Sequence, residues 1–388
     1  MIQHQVESQP IRIPYGRQCI DDEDIAAAVA ILRADWLTTG PLVGEFERCF
    51  AEYVGAREAV AVNSGTAALH AAMYALGIGP DQEVIVPALT FAASANCVAY
   101  LGGKPIFADV DPETLLIDVA SVERCLSSRT RAIMAVDYAG QPCDYDALRC
   151  IAESAGIALV DDASHSLGGA YRGRPVGVLA DLNTFSFHPV KLITTGEGGM
   201  VTTHHSGWAA RMRRFRNHNM NVDFRQREER QQWLYHIEEL GYNYRLTDFQ
   251  CALGLSQLKK ARGWVERRQY LAQLYDEILA GTGIQPLKTV PQTVHARHLY
   301  VVLLPPSPPA VPREEVFQRM RQAGIGVNVH YLPVHLHPFY RQKFGTKRGL
   351  CPAAEAAYER ILSLPLFPGM TEEMVREVAQ TLLHAIES

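Results

Sequence analysis

Three short segments carry side chains whose chemistry could work together. In Phe185-Ser186-Phe187-His188-Pro189-Val190-Lys191 a lone lysine follows an apolar run, and the glycine-rich turn Gly196-Glu197-Gly198-Gly199 comes after it. Apolar, hydroxyl and glycine neighbours, with Glu197 the only carboxylate of the segment, are not the setting of a solvated surface lysine. Desolvation lowers the pKa of an amine, and the neutral amine is the form that adds to a carbonyl to give an imine. In Val160-Asp161-Asp162-Ala163-Ser164-His165 two acids end an apolar stretch. A carboxylate against a pyridine nitrogen would keep that nitrogen protonated and make the ring an electron sink. A helix cap or a metal-binding acidic pair would use the same residues. In Asn63-Ser64-Gly65-Thr66-Ala67, free N–H groups at a helix start, two hydroxyls and a glycine suit a phosphate, although a plain turn with an N-cap accounts for the residues as well. The chain order of cradle, acid and lysine is more specific than any one of the three.

The elements that must position these groups read as α/β. Short runs rich in Val, Ile and Phe predict strands at Ala59–Val62, Val84–Pro87, Pro105–Ala108, Ala132–Val136, Ala158–Asp161, Thr184–Phe187 and Gly199–Thr202. They alternate with helical stretches such as Ala67–Leu76 and Tyr145–Ala155, the pattern of a mostly parallel sheet with crossover helices. The acidic pair then falls at the carboxyl end of a strand, where open α/β sheets bind ligands. Residues 1–260 are expected to form a large domain with an N-terminal arm. Thr247-Asp248-Phe249-Gln250 has the form of a capping box, and the charged stretch Lys259–Ala280 predicts a long linking helix. The second, smaller α/β domain, 261–388, is expected to hold strands at His298–Leu304 and Gly326–His330, helices at Arg313–Ala323 and Thr371–Ile386, and a rigid turn at Pro305–Pro312.

Composition narrows the function. With 388 residues and 47% of them hydrophobic, the chain can bury a sizeable core. A net charge of −5 gives no electrostatic footprint for nucleic acid or an anionic membrane, so a phosphate-bearing ligand needs a local site. Met1–Pro10 lacks the apolar run of a signal peptide and no stretch is long and apolar enough to span a bilayer, which predicts a cytoplasmic protein. The eight cysteines are scattered and form no CxxC pair, which reads as reduced and structural. His330, His335 and His337 crowd one segment but lack metal-ligand spacing, so no metal is expected and the histidines read as lining a polar cleft.

On these segments the sequence resembles the DegT/DnrJ/EryC1/StrS sugar-nucleotide aminotransferases, a branch of the fold-type I pyridoxal-phosphate (PLP) enzymes. The resemblance runs from about Ile13 to the C-terminus. It rests on Gly40-Pro41 before Phe46-Glu47, on Asn63–Ala68, Thr90–Asn96, Gly140–Asp144, Asp161–His165, Ser186–Lys191 and Gly196–Gly199, on Asn243-Tyr244-Arg245 with Asp248, and on Val329-His330-Tyr331. It implies that Lys191 forms the Schiff base and later shuttles a proton, and that Asp162 partners the pyridine nitrogen. It further implies that His165 sits beside the ring, Phe91 stacks on its face, Gly65, Thr66 and Ser186 bind the phosphate, and Asn243 reaches the phosphate from the other subunit. A homodimer with two shared active sites follows. Tyr15, Arg245, His330 and Tyr331 are expected to touch substrate.

Within the family, Ile13–Arg17, Trp36–Pro41, Ala139–Cys143, Ser186–Lys191 and Gly324–His335 are most similar to the pseudaminic-acid pathway enzymes. That implies ping-pong transfer of an amino group from L-glutamate to C4 of a UDP-linked 4-keto-6-deoxy-N-acetylhexosamine. The alternatives are another nucleotide keto-sugar, aminated at C3 or a UDP-4-keto-pentose, and a non-catalytic regulator of the same fold; the presence of both Lys191 and an acid speaks against the last. Two positions depart from the family pattern: Asp137 stands where His is often expected, and Asn219 where Gly is commoner.

Overall fold

The computed structural model describes residues 10–229, 231–306 and 311–387, so half of the turn expected at Pro305–Pro312 lies outside the described residues. All seven strands expected in the first part are present: β1 (Glu58–Val62), β2 (Glu83–Pro87), β3 (Lys104–Ala108), β4 (Thr130–Val136), β5 (Ala158–Asp162), β6 (Leu182–Ser186) and β7 (Gly199–Thr203). They form one sheet in the order β1-β7-β6-β5-β4-β2-β3. β2/β3, β2/β4, β4/β5 and β5/β6 pair parallel, and β7 runs antiparallel to both β1 and β6. Helices cover the faces, so the strands are buried on both sides. That is why their sequences are near-continuous apolar runs with no polar alternation.

The helix expected from Ala67 starts two residues earlier, at Gly65, and runs to Ala75. Ser64 caps it: its hydroxyl accepts from the Ala67 N–H at 3.0 Å. The segment that bears the lysine is anchored by aromatic packing. Phe185 and Phe187 lie 5.0 and 5.6 Å, ring centre to ring centre, from Phe50, and Phe187 lies 5.5 Å from Phe46. Phe46 and Phe50 belong to the helix Pro41–Val54, which packs on the helix Asp248–Leu258. Gly254 permits that approach, since a Cβ there would meet the Phe46 ring at 2.7 Å.

The linking helix expected at Lys259–Ala280 is present, but it does not continue the helix before it. The helix Asp248–Leu258 stops, and a separate helix, Ala261–Leu279, begins after Lys260. Lys260 turns aside to ion-pair with Asp21 at 2.5 Å and Asp24 at 2.9 Å. The expected capping box is present at the start of the helix Asp248–Leu258, with the Thr247 N–H donating to Gln250 Oε1 at 3.2 Å.

A second apolar cluster, built from Leu271, Tyr275, Val302, Val316, Met320, Val378 and Leu382 among others, lies around a three-stranded sheet. Its strands are β8 (Gln285–Pro286), β9 (Tyr300–Leu303) and β10 (Ile361–Leu364), in the order β8-β9-β10. The strand expected at Gly326–His330 is not formed. That stretch makes only isolated bridges, Ile325 to Ile13 and Asn328 to Ser363, and β9 pairs with β8 and β10 instead. The N-terminal strip is stitched here: Gly326 donates to the Ile13 carbonyl at 2.7 Å and Leu366 to the Tyr15 carbonyl at 3.1 Å. No helix among the described residues is long and apolar enough to cross a membrane.

Candidate active site

A cavity of about 760 Å³ opens beyond the carboxyl ends of β4, β5 and β6. Ten of the twelve residues singled out from sequence line it: Tyr15, Gly65, Thr66, Phe91, Asp162, His165, Ser186, Lys191, His330 and Tyr331. Its floor is the turn after β6. Phe187 hydrogen-bonds Gly198 and Thr195 through its backbone, and the Lys191 N–H donates to the His188 carbonyl at 2.8 Å, which presents the amine to the cavity. Burial pushes the Lys191 ammonium down to about 8, with the nearby Asp162 pulling the other way.

Asp162 ends β5 and is buried. Its Oδ2 accepts from the Ser94 hydroxyl at 2.7 Å and its Oδ1 from the Ser164 hydroxyl at 2.6 Å, so the carboxylate is held in one orientation. Thr90 extends the relay, 2.8 Å from Ser94. A helix-cap reading of Asp162 does not fit this set of partners, and no group of three possible metal ligands occurs among the described residues.

On the opposite wall the helix Gly65–Ala75 points its N-terminus at the cavity, and the N–H groups of Gly65 and Thr66 have no intrahelical acceptor. Gly65 is required by close approach: a Cβ there would meet the Ser186 Cβ at 2.7 Å. The cradle read from the sequence is therefore assembled from two elements, the helix start and the end of β6.

The remaining wall is histidine and tyrosine. His165 Nε2 lies 3.3 Å from the Tyr331 hydroxyl, and its ring is 4.4 Å from that of His298. His330 Nδ1 lies 2.8 Å from the Ser363 hydroxyl, its carbonyl accepts from the Tyr138 hydroxyl, and its ring is 5.5 Å from Tyr15. Burial pushes His165 and His298 well below their ordinary range and His330 down to about 3, each further opposed by the Lys191 charge, so all three are neutral near pH 7. Phe91 stands at the mouth, 58% exposed, with its ring 5.9 Å from Tyr331.

Asn243 and Arg245 are not in this cavity. Asn243 is exposed, with its carbonyl accepting from Asn63 at 3.3 Å. Arg245 lines a second cavity of about 530 Å³ with Arg213, Arg216 and Arg227, and donates to Asn217 at 2.8 Å. Of the crowded histidines, His335 is also elsewhere: it is fully buried against Glu355 at 2.9 Å, in the core and not in a cleft. Sequence reasoning gave no role to Ser94, Ser164 or His298. Ser94 and Ser164 sit inside the motifs used, three residues after Phe91 and two after Asp162, and their hydroxyls were the available signal.

A parallel sheet with one reversed strand, a desolvated lysine and an anchored acid facing it, and a helix-start cradle together define a fold-type I PLP enzyme. The residues present fit that cofactor: the cavity offers an amine, a carboxylate and a glycine-walled anion cradle at its three sides. The chain belongs to the DegT/DnrJ/EryC1/StrS aminotransferase family, whose model matches residues 18–383. It is 38% identical over 373 residues to a curated relative, the spore coat polysaccharide biosynthesis protein SpsC of Bacillus subtilis (strain 168), covering 95% of this chain and 96% of that one. Among solved structures it is similar to the putative sugar aminotransferase Spr1654 of Streptococcus pneumoniae in its PMP form (32% identity, TM-score 0.91, covering 96% and 99% of the two chains). It is similar also to Helicobacter pylori PseC, an aminotransferase involved in the biosynthesis of pseudoaminic acid (32%, TM-score 0.90, covering 97% and 99%). The protein is a PLP-dependent sugar aminotransferase.

Proposed function

We propose that this enzyme moves an amino group from L-glutamate to C4 of a UDP-linked 4-keto-6-deoxy-N-acetylhexosamine, in two half-reactions of a ping-pong cycle. The observation that carries the chemistry is the convergence of the Lys191 amine and the Asp162 carboxylate on one buried cavity beside the Gly65–Ala75 helix start. The choice of substrate is supported by the likeness to PseC and by the segments Trp36–Pro41 and Gly324–His335. When bound, PLP supplies an electron sink for the carbanion formed at the donor carbon.

The chain's own residues supply position and protons. Lys191 holds the cofactor through its amine and, once released, carries a proton to and from the donor carbon; a pKa near 8 suits an amine that must do both near neutrality. Asp162, fixed by Ser94 and Ser164, keeps a proton on the ring nitrogen. Gly65, Thr66 and Ser186 bind the phosphate, Phe91 covers one ring face, and His165 stands beside the ring. Tyr15, His330 and Tyr331 bound the side on which substrate enters. Asn243 and Arg245 act on the site of a second copy, in a homodimer whose two cavities are each built from both chains; their position outside this chain's own cavity supports that reading.

Purified protein should show a visible absorbance band from the lysine-bound cofactor. Lys191→Ala should lose it, and glutamate alone should bleach it while releasing one 2-oxoglutarate per site. A band that persists in Lys191→Ala would overturn the assignment. Incubation with glutamate and a panel of UDP-4-keto sugars, with NMR of the product, tests the position; a product aminated only at C3 would replace the C4 reading.

A further inference from the structure

Behind Asp162 lie two more acids that the site does not use. Alternate residues of a strand face opposite sides, so Asp161 points away from the cavity that Asp162 lines. Register pairs Ala135 with Asp161 and Val136 with Asp162 across β4 and β5, which sets Asp137 on the same face as Asp161. Both side chains are 0% exposed. Their surroundings differ. Asp137 Oδ1 accepts from the Cys143 N–H at 3.0 Å and the Tyr145 hydroxyl at 2.8 Å, and its Oδ2 from the Ser166 hydroxyl at 2.6 Å. Neither oxygen of Asp161 makes a hydrogen bond of good geometry among the described residues; the Tyr145 hydroxyl also faces it but is donated to Asp137.

A buried carboxylate with three donors can stay ionised, whereas one with none is driven to its neutral form. We propose that Asp161 is a neutral carboxylic acid, that the pair therefore carries a single negative charge on Asp137, and that this charge makes Asp137 a positioning residue. It acts through Asp162, disfavouring loss of the proton shared by that carboxylate and the ring nitrogen.

The titratable groups facing Asp161 are Asp137 after β4, Asp162 in β5, Tyr145 at the start of the helix Tyr145–Ala155, and Cys143 in the loop before it. Burial, reinforced first by Asp137, pushes the Asp161 carboxyl far above the usual carboxylate range. Burial also pushes Asp137 upward, to about 7, against the pull of its donors. Ionising both would set two uncompensated anions behind a third, with no cation among the groups facing them. The family departure at position 137, Asp where His is often expected, thus places a charge where an imidazole would be neutral or positive. The inference rests on the role proposed for Asp162.

Two measurements test it. Infrared spectra of cofactor-free protein at about pH 9, where Asp137 is ionised, should contain the C=O stretch of a buried protonated carboxyl that Asp161→Asn removes. In the loaded enzyme, the pH midpoint of the visible band should fall by about half a unit to one unit in Asp137→Asn, where a negative charge is lost. It should stay in place in Asp161→Asn, where none is. No protonated-carboxyl band in the wild type, a band that survives Asp161→Asn, or a midpoint that moves with Asp161→Asn and not with Asp137→Asn would overturn the proposal. Because the infrared arm needs no cofactor, it fails or succeeds independently of the roles given to Lys191 and Asp162. It also decides the protonation state of Asp161 should Asp137→Asn not fold.

Discussion

At the scale of single residues, the lysine carries the sharpest consequence. Its ammonium is pushed down to about 8 by burial. The neutral amine is the nucleophile, so about one Lys191 in ten is reactive at pH 7, against roughly one in a few thousand for an unperturbed lysine. Mixing cofactor-free protein with PLP across a pH series should therefore give a rate of band formation that rises with pH and levels off above about 8. A rise that continues towards 10 would mean that the cavity does not desolvate the amine. Lys191 was legible in sequence because its neighbours are so unlike those of a surface lysine, whereas the choice of Asp162 over Asp161 came from the family resemblance alone. Ser94 and Ser164 were harder to read, since a serine that orients an acid and a serine that faces water look alike until the fold brings them within 2.7 and 2.6 Å of Asp162. The departure at Asn219 has a local cause. Its φ is 57°, in the left-handed region where Gly is free and Asn is tolerated, and its side chain is kept by hydrogen bonds to Tyr74 at 2.7 Å and the Leu240 carbonyl at 3.2 Å.

At the scale of elements, Gly40-Pro41 and Asp248 form a single device. Gly40 and Leu42 donate to Asp248 Oδ2 and Oδ1 at 2.7 and 3.0 Å, so one buried carboxylate caps the helix Pro41–Val54 from 206 residues away in sequence. It also sits in the first turn of its own helix, at the positive end of a second dipole. Proline at the first helical position wastes no N–H, and a Cβ on Gly40 would meet Asp248 Oδ1 at 2.4 Å. Asp248→Ala should cost about 1–3 kcal/mol, read from a chemical denaturation curve, and Asp248→Asn less, since it keeps one acceptor. Equal losses in the two variants would show that the charge, and not the cap, is what matters. The seven strands of the large sheet were readable because burial on both faces leaves an unbroken apolar run. The small sheet was not. Gly326–His330 has the alternation of a strand but lies where the chain is pinned by Ile13 and Ser363, whereas Ile361–Leu364 is only four residues long and is followed by Pro365.

At the scale of the whole molecule, the surface after the helix Ser206–Phe215 is unusually apolar. Trp233 and Leu240 are 84% and 87% exposed, and Ile237, Tyr235 and Tyr242 add to them. A second copy of the chain is the occupant that the proposed shared sites require. Lys191→Ala and Asn243→Ala should each be inactive as pure proteins, because one lacks the amine and the other its contribution to the partner. Unfolded together and refolded as a mixture, they should recover activity up to roughly a quarter of wild type, since one site in each mixed dimer is intact. No recovery, with mixed dimers demonstrated by mass, would place Asn243 in the same chain's site.

The strip that ends at Tyr15 has a consequence in time. Arg12 bonds Ala323, 311 residues further along, Ile13 bonds Gly324, and Tyr15 rests on Leu366, later still in the chain. At about 5–20 residues per second, a ribosome needs on the order of 15–60 s to deliver them. Each newborn chain thus carries its lysine and acid on a finished sheet while one flank of the pocket still waits for the last quarter of the polypeptide to emerge.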